Sequence, residues 1–334
     1  MKPPSALSRL FKATTASLLL AAAPAAAEIS GAWFPTMPVA DVSPLPASST
    51  RPAPSPEFVA RAANWMARLP DNRSLGAVSL PGTHNSAARF GVYLCQNQSW
   101  SLDDQLAAGV RYLDIRLRRY GDGFAVHHGP CFQNLGFDGV VEAVGGFLAR
   151  HPSETVVTRV REEYEPPAGS AAFRDIWARY MRLYGGRFLP AMDHVPTLGE
   201  ARGRILVLRD ADMAGQGIDY NGPLLKIQDA WQVFVGDNDN PYGPDTVSVQ
   251  QKYRMIRKSM AAAAELNPRG EFLYLNHLSS PGLSGPMDFA ARTNQYVFDA
   301  ITAAPATRPI GIPIMDYPGE GLIEKIIQTN FAPR

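Results

Sequence analysis

From about Glu57 onward the chain alternates between two kinds of pattern. Short apolar or β-branched runs fall at Gly76–Leu80, Arg111–Leu117, Phe124–His128, Thr155–Arg161, Arg204–Asp210, Leu225–Trp231, Glu271–His277 and Gly311–Asp316, and each reads as a strand. Between many of them apolar residues recur at helical spacing, over Leu102–Ala108, Gly139–Arg150, Ala171–Leu183, Val249–Leu266, Met287–Ala300 and Gly321–Gln328. Strands and helices in alternation through roughly 270 residues predict an α/β fold, an irregular (β/α)8 barrel of the TIM type in a single domain. Irregularity is expected because the segments after the second and fifth runs are too short or too uneven for an ordinary crossover helix. A doubly wound open sheet is the alternative, since strand count alone does not force closure.

The first 64 residues follow other rules. Lys2, Arg9 and Lys12 give a positive leader, Ala13–Ala23 is apolar around Leu18, Leu19 and Leu20, and Ala25, Ala26 and Ala27 supply small residues before Glu28. That is the pattern of a secretory signal peptide over residues 1–27. A membrane anchor would need about 20 apolar residues, roughly twice this run. Residues 28–64 begin with Pro35, Pro38, Pro44, Pro46, Pro52, Pro54 and Pro56, a density that blocks helix and ladder hydrogen bonds. They are expected to form a strap or linker, with the catalytic barrel over 65–334. The protein is expected to be secreted or periplasmic.

Composition narrows the partners. With 46% hydrophobic and 19% charged residues the chain can bury a large core. Lys+Arg number 32 against Asp+Glu 31, and loss of the leader leaves 29 against 31. There is no basic excess to hold nucleic acid, and no such partner is expected. Two cysteines exclude a disulfide-dense scaffold and a four-cysteine zinc site. In an oxidising compartment Cys95 and Cys131 are expected to pair, tying two site loops together; two separate buried thiols are the alternative.

Polar residues at strand ends mark the candidate site, because barrel enzymes build their chemistry at the carboxyl ends of the strands. His84 follows the first run, Asp114 and Arg116 close the second, and His128 closes the third. Arg161 ends the fourth, Arg209 the fifth, Asp229 and Trp231 the sixth, and Asp316 the eighth. His277 ends the seventh and is ambiguous, while His151 and His194 read as surface residues. Two imidazoles and a guanidinium, without a nucleophilic Ser or Cys motif, suit general acid-base cleavage of a phosphodiester. One imidazole would deprotonate the attacking hydroxyl, the other would protonate the leaving oxygen, and the cation would neutralise the phosphoryl group. Arg116, two residues after Asp114, opposes a metal in the same place, and no metal or other cofactor is expected.

Leu80–Ser86 (LPGTHNS), Gly109–Arg116 (GVRYLDIR), His127–Pro130 (HHGP), Pro152–Tyr164, Ala201–Arg209, Ile227–Trp231 and Ile314–Tyr317 together resemble the bacterial phosphatidylinositol-specific phospholipases C of the X-domain family, from about residue 65 to the end. The resemblance implies a distorted barrel and a metal-independent reaction. The inositol 2-hydroxyl would attack phosphorus, releasing diacylglycerol and a 1,2-cyclic inositol phosphate. It implies His84 as general base held by Asp316, His128 as general acid supported by Asp114, and Arg116 on the phosphoryl oxygens. Arg161, Arg209 and Asp229 would hold inositol hydroxyls, with Trp231 stacking on the ring; Tyr253 is the alternative stacker, although its helical context favours packing on the barrel wall. Asn85 stands where the family commonly has Asp. It removes a charge near the acid and, because the calcium-dependent relatives carry Asn there, reopens the metal question. A monomer in peripheral contact with membranes carrying phosphatidylinositol or its glycosylated forms is expected. The competing readings are an inositol-binding module with weakened catalysis and a metal-dependent barrel glycerophosphodiesterase.

Overall fold

The computed structural model describes residues 52–234, 247–281, 285–303 and 308–331. The expected signal peptide and most of the strap lie outside them. Eight parallel strands form one continuous path: β1 (Gly82–Thr83), β2 (Tyr112–Tyr120), β5 (Val156–Glu162), β6 (Ile205–Asp210), β7 (Ile218–Asp219), β8 (Leu225–Gln228), β11 (Leu273–His277) and β12 (Ile312–Met315), ordered β7-β6-β5-β2-β1-β12-β11-β8. The path curves. His277 on β11 has its ring 6.0 Å from that of His84 beside β1, and it feels the charges of Asp114 on β2 and Arg159 on β5. In a flat sheet those strands would be several 4.8 Å spacings apart. Among the described residues no ladder joins β7 to β8, so the barrel is irregular and open at that seam.

The strands are short and buried because their residues are. Val156–Val160 on β5 and Ile205–Leu208 on β6 are covered on both faces, as parallel strands between helices must be. Outside them pack α2 (Leu102–Ala107), α3 (Phe137–Arg150), α4 (Phe173–Tyr184), α5 (Leu198–Ala201), α6 (Val249–Leu266), α7 (Pro286–Ala303) and α8 (Glu320–Gln328). Ser101, Thr197 and Ser248 start α2, α5 and α6 with reciprocal capping boxes to Asp104, Glu200 and Gln251. One short pair, β9 (Val233–Phe234) with β10 (Val247–Ser248), stands apart.

Three expectations change. The run Gly76–Leu80 is not a strand: Leu75–Ala77 make a 3₁₀ turn, and the first ladder residues are Gly82 and Thr83. Gly76 is pressed so closely onto the backbone at Gly270 that a Cβ there would meet Gly270 O at 2.4 Å, which holds the segment in a turn. The third run is not a barrel strand either. Two residues, with Gly121 at φ 56°, turn β2 back into β3 (Gly123–His128), which pairs antiparallel with it and with β4 (Cys131–Gly136). The eighth barrel strand is β7 instead. Finally, part of the strap folds: α1 (Pro56–Ala62), capped by Ser55, buries Phe58 and Ala62 in the core, and Trp65 follows them. Proline at the first helical turn suits a helix start, so density of proline did not exclude one here.

Candidate active site

His84 sits one residue past β1, and its backbone N–H continues the ladder by donating to Met315 O (2.9 Å). Its imidazole is clamped at both nitrogens. Nδ1 is 2.9 Å from Asp316 Oδ1, and Nε2 is 2.9 Å from an Arg116 Nη2. A guanidinium has no acceptor, so Nε2 must offer its lone pair and Nδ1 must carry the proton, donated to Asp316. The tautomer is thereby the one that leaves a basic nitrogen beside a cation.

Asp114 anchors the other side. Its Oδ2 accepts from Arg116 Nε (3.3 Å), Arg116 Nη2 (3.2 Å) and the Asn85 backbone N–H (3.1 Å), while Arg159 Nη1 lies 3.7 Å from Oδ1. Burial works against ionisation, but Arg116 and Arg159 overcome it and hold this carboxyl well below the usual range. Arg116 also faces Glu163 (3.5 Å). Asn85 has φ 43°, a left-handed conformation that Asn and Asp tolerate better than other side chains, and its Nδ2 donates to Asn97 Oδ1 (3.1 Å).

His128 ends β3. Its Nδ1 donates to the Cys95 carbonyl (3.0 Å), and Cys95 is joined to Cys131 by a disulfide with Cα atoms 6.3 Å apart. The support expected from Asp114 is not made, because both oxygens of that carboxylate face the arginines and Asn85. Burial and then the charge of Arg116 push His128 down to about 4, against the opposing bond to Cys95. Glu163 Oε1 accepts from Gly129 N–H (3.0 Å), which fixes the turn immediately after His128.

The four expected head-group contacts divide. Arg161 lies in register with Arg116, on the inner face, 43% exposed and 3.9 Å from Glu163. Asp229 follows β8 with Oδ1 4.0 Å from His277 Nδ1. Burial opposes its charge, yet its neighbours His277 and His84, with Lys252 and Arg159, lower its pKa. Trp231 is 53% exposed. Arg209 is different: it is in register with Val160, so it points to the outer face, where its Nη1 donates to Gln216 O and, at 2.7 Å, to Gly217 O. The inner guanidinium at that level is Arg159, bonded to Asp210 through Nε (2.9 Å). Tyr253 stacks on Tyr296 with centroids 4.1 Å apart, packing α6 on α7.

Three residues that the sequence reading did not assign therefore belong to the cluster: Arg159, Glu163 and His277. The first two lie two positions either side of Arg161, and the period of a strand puts all three on one face. His277 is 1% exposed, with neither ring nitrogen hydrogen-bonded to a described residue, and burial first of all pushes it down to about 3. Among the described residues no three of His, Cys, Asp and Glu are grouped as metal ligands; Asp114 and Glu163 face Arg116.

Residues 79–210 match the family model for the phosphatidylinositol-specific phospholipase C X domain. A 1-phosphatidylinositol phosphodiesterase of Listeria monocytogenes is 32% identical over 289 residues, 80% of this chain and 84% of the relative. One from Staphylococcus aureus is 23% identical, over 80% of this chain and 94% of its own. The solved Listeria monocytogenes phosphatidylinositol-specific phospholipase C superposes with a TM-score of 0.68 at 31% identity, covering 81% of this chain and 99% of that one. A Staphylococcus aureus structure of the same description, at 22% identity and a TM-score of 0.70, shares the fold.

Proposed function

The chain belongs to the bacterial phosphatidylinositol-specific phospholipase C family, and from that premise we propose a metal-independent general acid-base mechanism for it. The observation that carries the reading is the His84 imidazole, held by Asp316 so that its bare Nε2 meets Arg116. On binding, the Arg116 guanidinium turns from Nε2 to the phosphoryl oxygens. The inositol 2-hydroxyl then gives its proton to His84 Nε2 as its oxygen bonds to phosphorus. The bond from phosphorus to the diacylglycerol oxygen breaks, and His128 protonates that oxygen. The products are diacylglycerol and a 1,2-cyclic inositol phosphate; the cyclic product is open to slow hydrolysis by the reverse roles.

His128 must be protonated to act, and in the free protein burial and Arg116 oppose that. A phosphodiester anion between Arg116 and His128 offsets the guanidinium charge and raises the imidazole's proton affinity where it is needed. Arg161 and Asp229 hold inositol hydroxyls, Trp231 covers the ring, and Arg159 takes the interior position that Arg209 does not. Asn85 holds Asn97 and bonds through its backbone to Asp114, so it supports the loop rather than a metal. Exposed Val92, Tyr93 and Leu94 lie on the loop that reaches His128 through Cys95, and they support peripheral contact with a lipid surface. The leader over residues 1–27 supports export, to the periplasm or beyond.

The test is cleavage of phosphatidylinositol micelles in EDTA, followed by phosphorus NMR. A cyclic phosphate product formed at full rate is expected. Loss of activity on chelation, with recovery on adding calcium, would sink the metal-free mechanism.

A further inference from the structure

Cys95 and Cys131 flank the candidate acid in two ways at once. The Cys95 carbonyl accepts the His128 Nδ1 proton at 3.0 Å. Cys131 is the register partner of His128 across the β3–β4 ladder. The disulfide therefore closes a ring through His128: imidazole to Cys95 carbonyl, Cys95 through sulfur to Cys131, and Cys131 through the ladder back to the His128 backbone. The loop that delivers the carbonyl has few other ties to β4. Gln133 holds its first part, accepting from Arg89 and Phe90 N–H (2.8 and 2.9 Å) and donating to Phe90 O (3.1 Å). Beyond Gly91 the residues Val92, Tyr93 and Leu94 are each 45% to 48% exposed. Gly91 itself, at φ 103°, rests against Cys131, where a Cβ would come within 2.9 Å of its sulfur.

We propose that the Cys95–Cys131 disulfide is the positioning element of His128, keeping the Cys95 carbonyl on Nδ1 so that Nε2 is the nitrogen presented to the leaving oxygen. The inference rests on His128 being the general acid. The physical argument is tautomeric. A backbone carbonyl only accepts, so while it stays in place Nδ1 must carry hydrogen and the transferable proton sits on Nε2. Without the bridge, Cys95 keeps the anchor beside it, where the Gln96 carbonyl accepts from the Tyr317 hydroxyl (2.7 Å). It loses its covalent link to the strand pair that carries His128, however, so the ring can move off the carbonyl and the neutral imidazole can take either tautomer. Substrate contacts through Arg161, Asp229 and Trp231 come from other strands and are untouched. Cleavage of the bridge needs two electrons and two protons, supplied by a dithiol that is itself oxidised to a cyclic disulfide.

The experiment compares the parent protein with Cys95→Ser/Cys131→Ser and with His128→Ala. We measure kcat and KM on phosphatidylinositol micelles and read the His128 ring by 15N NMR. The double variant should lose about tenfold in kcat, as expected for one positioning hydrogen bond, with KM unchanged. Its His128 spectrum should show mixed tautomers, where the parent shows hydrogen on Nδ1. Should the double variant fail to fold, the same readings are taken on the parent protein treated with dithiothreitol below its unfolding transition, and again after reoxidation, which should restore both. Parent kcat and an unchanged Nδ1–H signal without the bridge overturn the proposal. Near-normal turnover in His128→Ala overturns the reading of His128 beneath it, a separate result.

Discussion

Asp316→Asn isolates the charge behind the proposed base. Asp316 is 1% exposed at its side chain and accepts from His84 Nδ1 at 2.9 Å. Before reaction the imidazole is neutral; when Nε2 takes the hydroxyl proton it becomes a cation beside this carboxylate. Two unit charges about 4 Å apart attract by about 4 kcal/mol at an effective dielectric constant of about 20. At 1.36 kcal/mol per tenfold in rate, kcat should fall roughly 10³-fold. Asn keeps the shape, and α7 stays docked because Asn294 bonds the Asp316 backbone carbonyl rather than its side chain. A second effect adds to the loss: an amide NH₂ turned toward Nδ1 would drive the proton onto Nε2, the atom that has to accept. The assay is initial rate on phosphatidylinositol micelles at pH 7 by phosphorus NMR, with KM measured alongside and the His84 ring read by 15N NMR. A kcat within about fivefold of the parent, with Nδ1–H retained, would refute the reasoning, since the charge would then contribute under about 1 kcal/mol.

Other consequences can be measured directly. Arg209→Ala should leave KM within about twofold, because the side chain lies outside the barrel, whereas Arg161→Ala should raise it about tenfold through loss of a charged hydrogen bond; a large KM rise in Arg209→Ala would contradict the outward register. His127 and His128 are lowered to about 4 and His277 to about 3, so below the unfolded value near 6.5 the unfolded chain binds protons that the folded chain refuses. Stability is therefore full above about pH 6.5 and falls as the pH drops toward 4, by up to about 2 kcal/mol per histidine at pH 5, a window above the one in which Asp114 protonates. Urea melts at pH 7 and pH 5 check this, and equal midpoints would mean that these rings are not buried neutral. Val92→Ser/Leu94→Ser should weaken sedimentation with phosphatidylinositol vesicles by about tenfold, from the loss of partly buried apolar area. Its turnover of soluble inositol 1,2-cyclic phosphate should be unchanged, and unaltered vesicle binding would place the lipid-facing surface elsewhere.

Much of the molecule was legible before folding. The strand runs at Arg111–Leu117, Thr155–Arg161 and Arg204–Asp210 and the helix Val249–Leu266 follow from periodicity, because burial on both faces of a strand, or on one side of a helix, writes itself into residue order. The third run shows the limit. Phe124–His128 is as apolar as a barrel strand, and only the two-residue turn at Gly121 reveals that it runs backward. Proline density hid α1, since proline is unfavourable inside a helix but welcome at its first turn.

Sequence alone determined that two histidines, the pair Asp114 and Arg116, and Asp316 stand at the ends of four different runs, and the chemistry of those side chains already pointed to phosphodiester cleavage. Which groups touch was decided only by the tertiary structure. Pairing with Arg116 fixes the His84 tautomer, and the Cys95 carbonyl, not Asp114, holds His128. Arg209 and Arg159 look equivalent in the chain, yet the register of β5 against β2 turns Arg159 in and that of β6 against β5 turns Arg209 out. Register depends on how strands slide against each other to bury their neighbours, and shifting by one residue exchanges the two faces. That is a collective property of the packed barrel, which no single segment records.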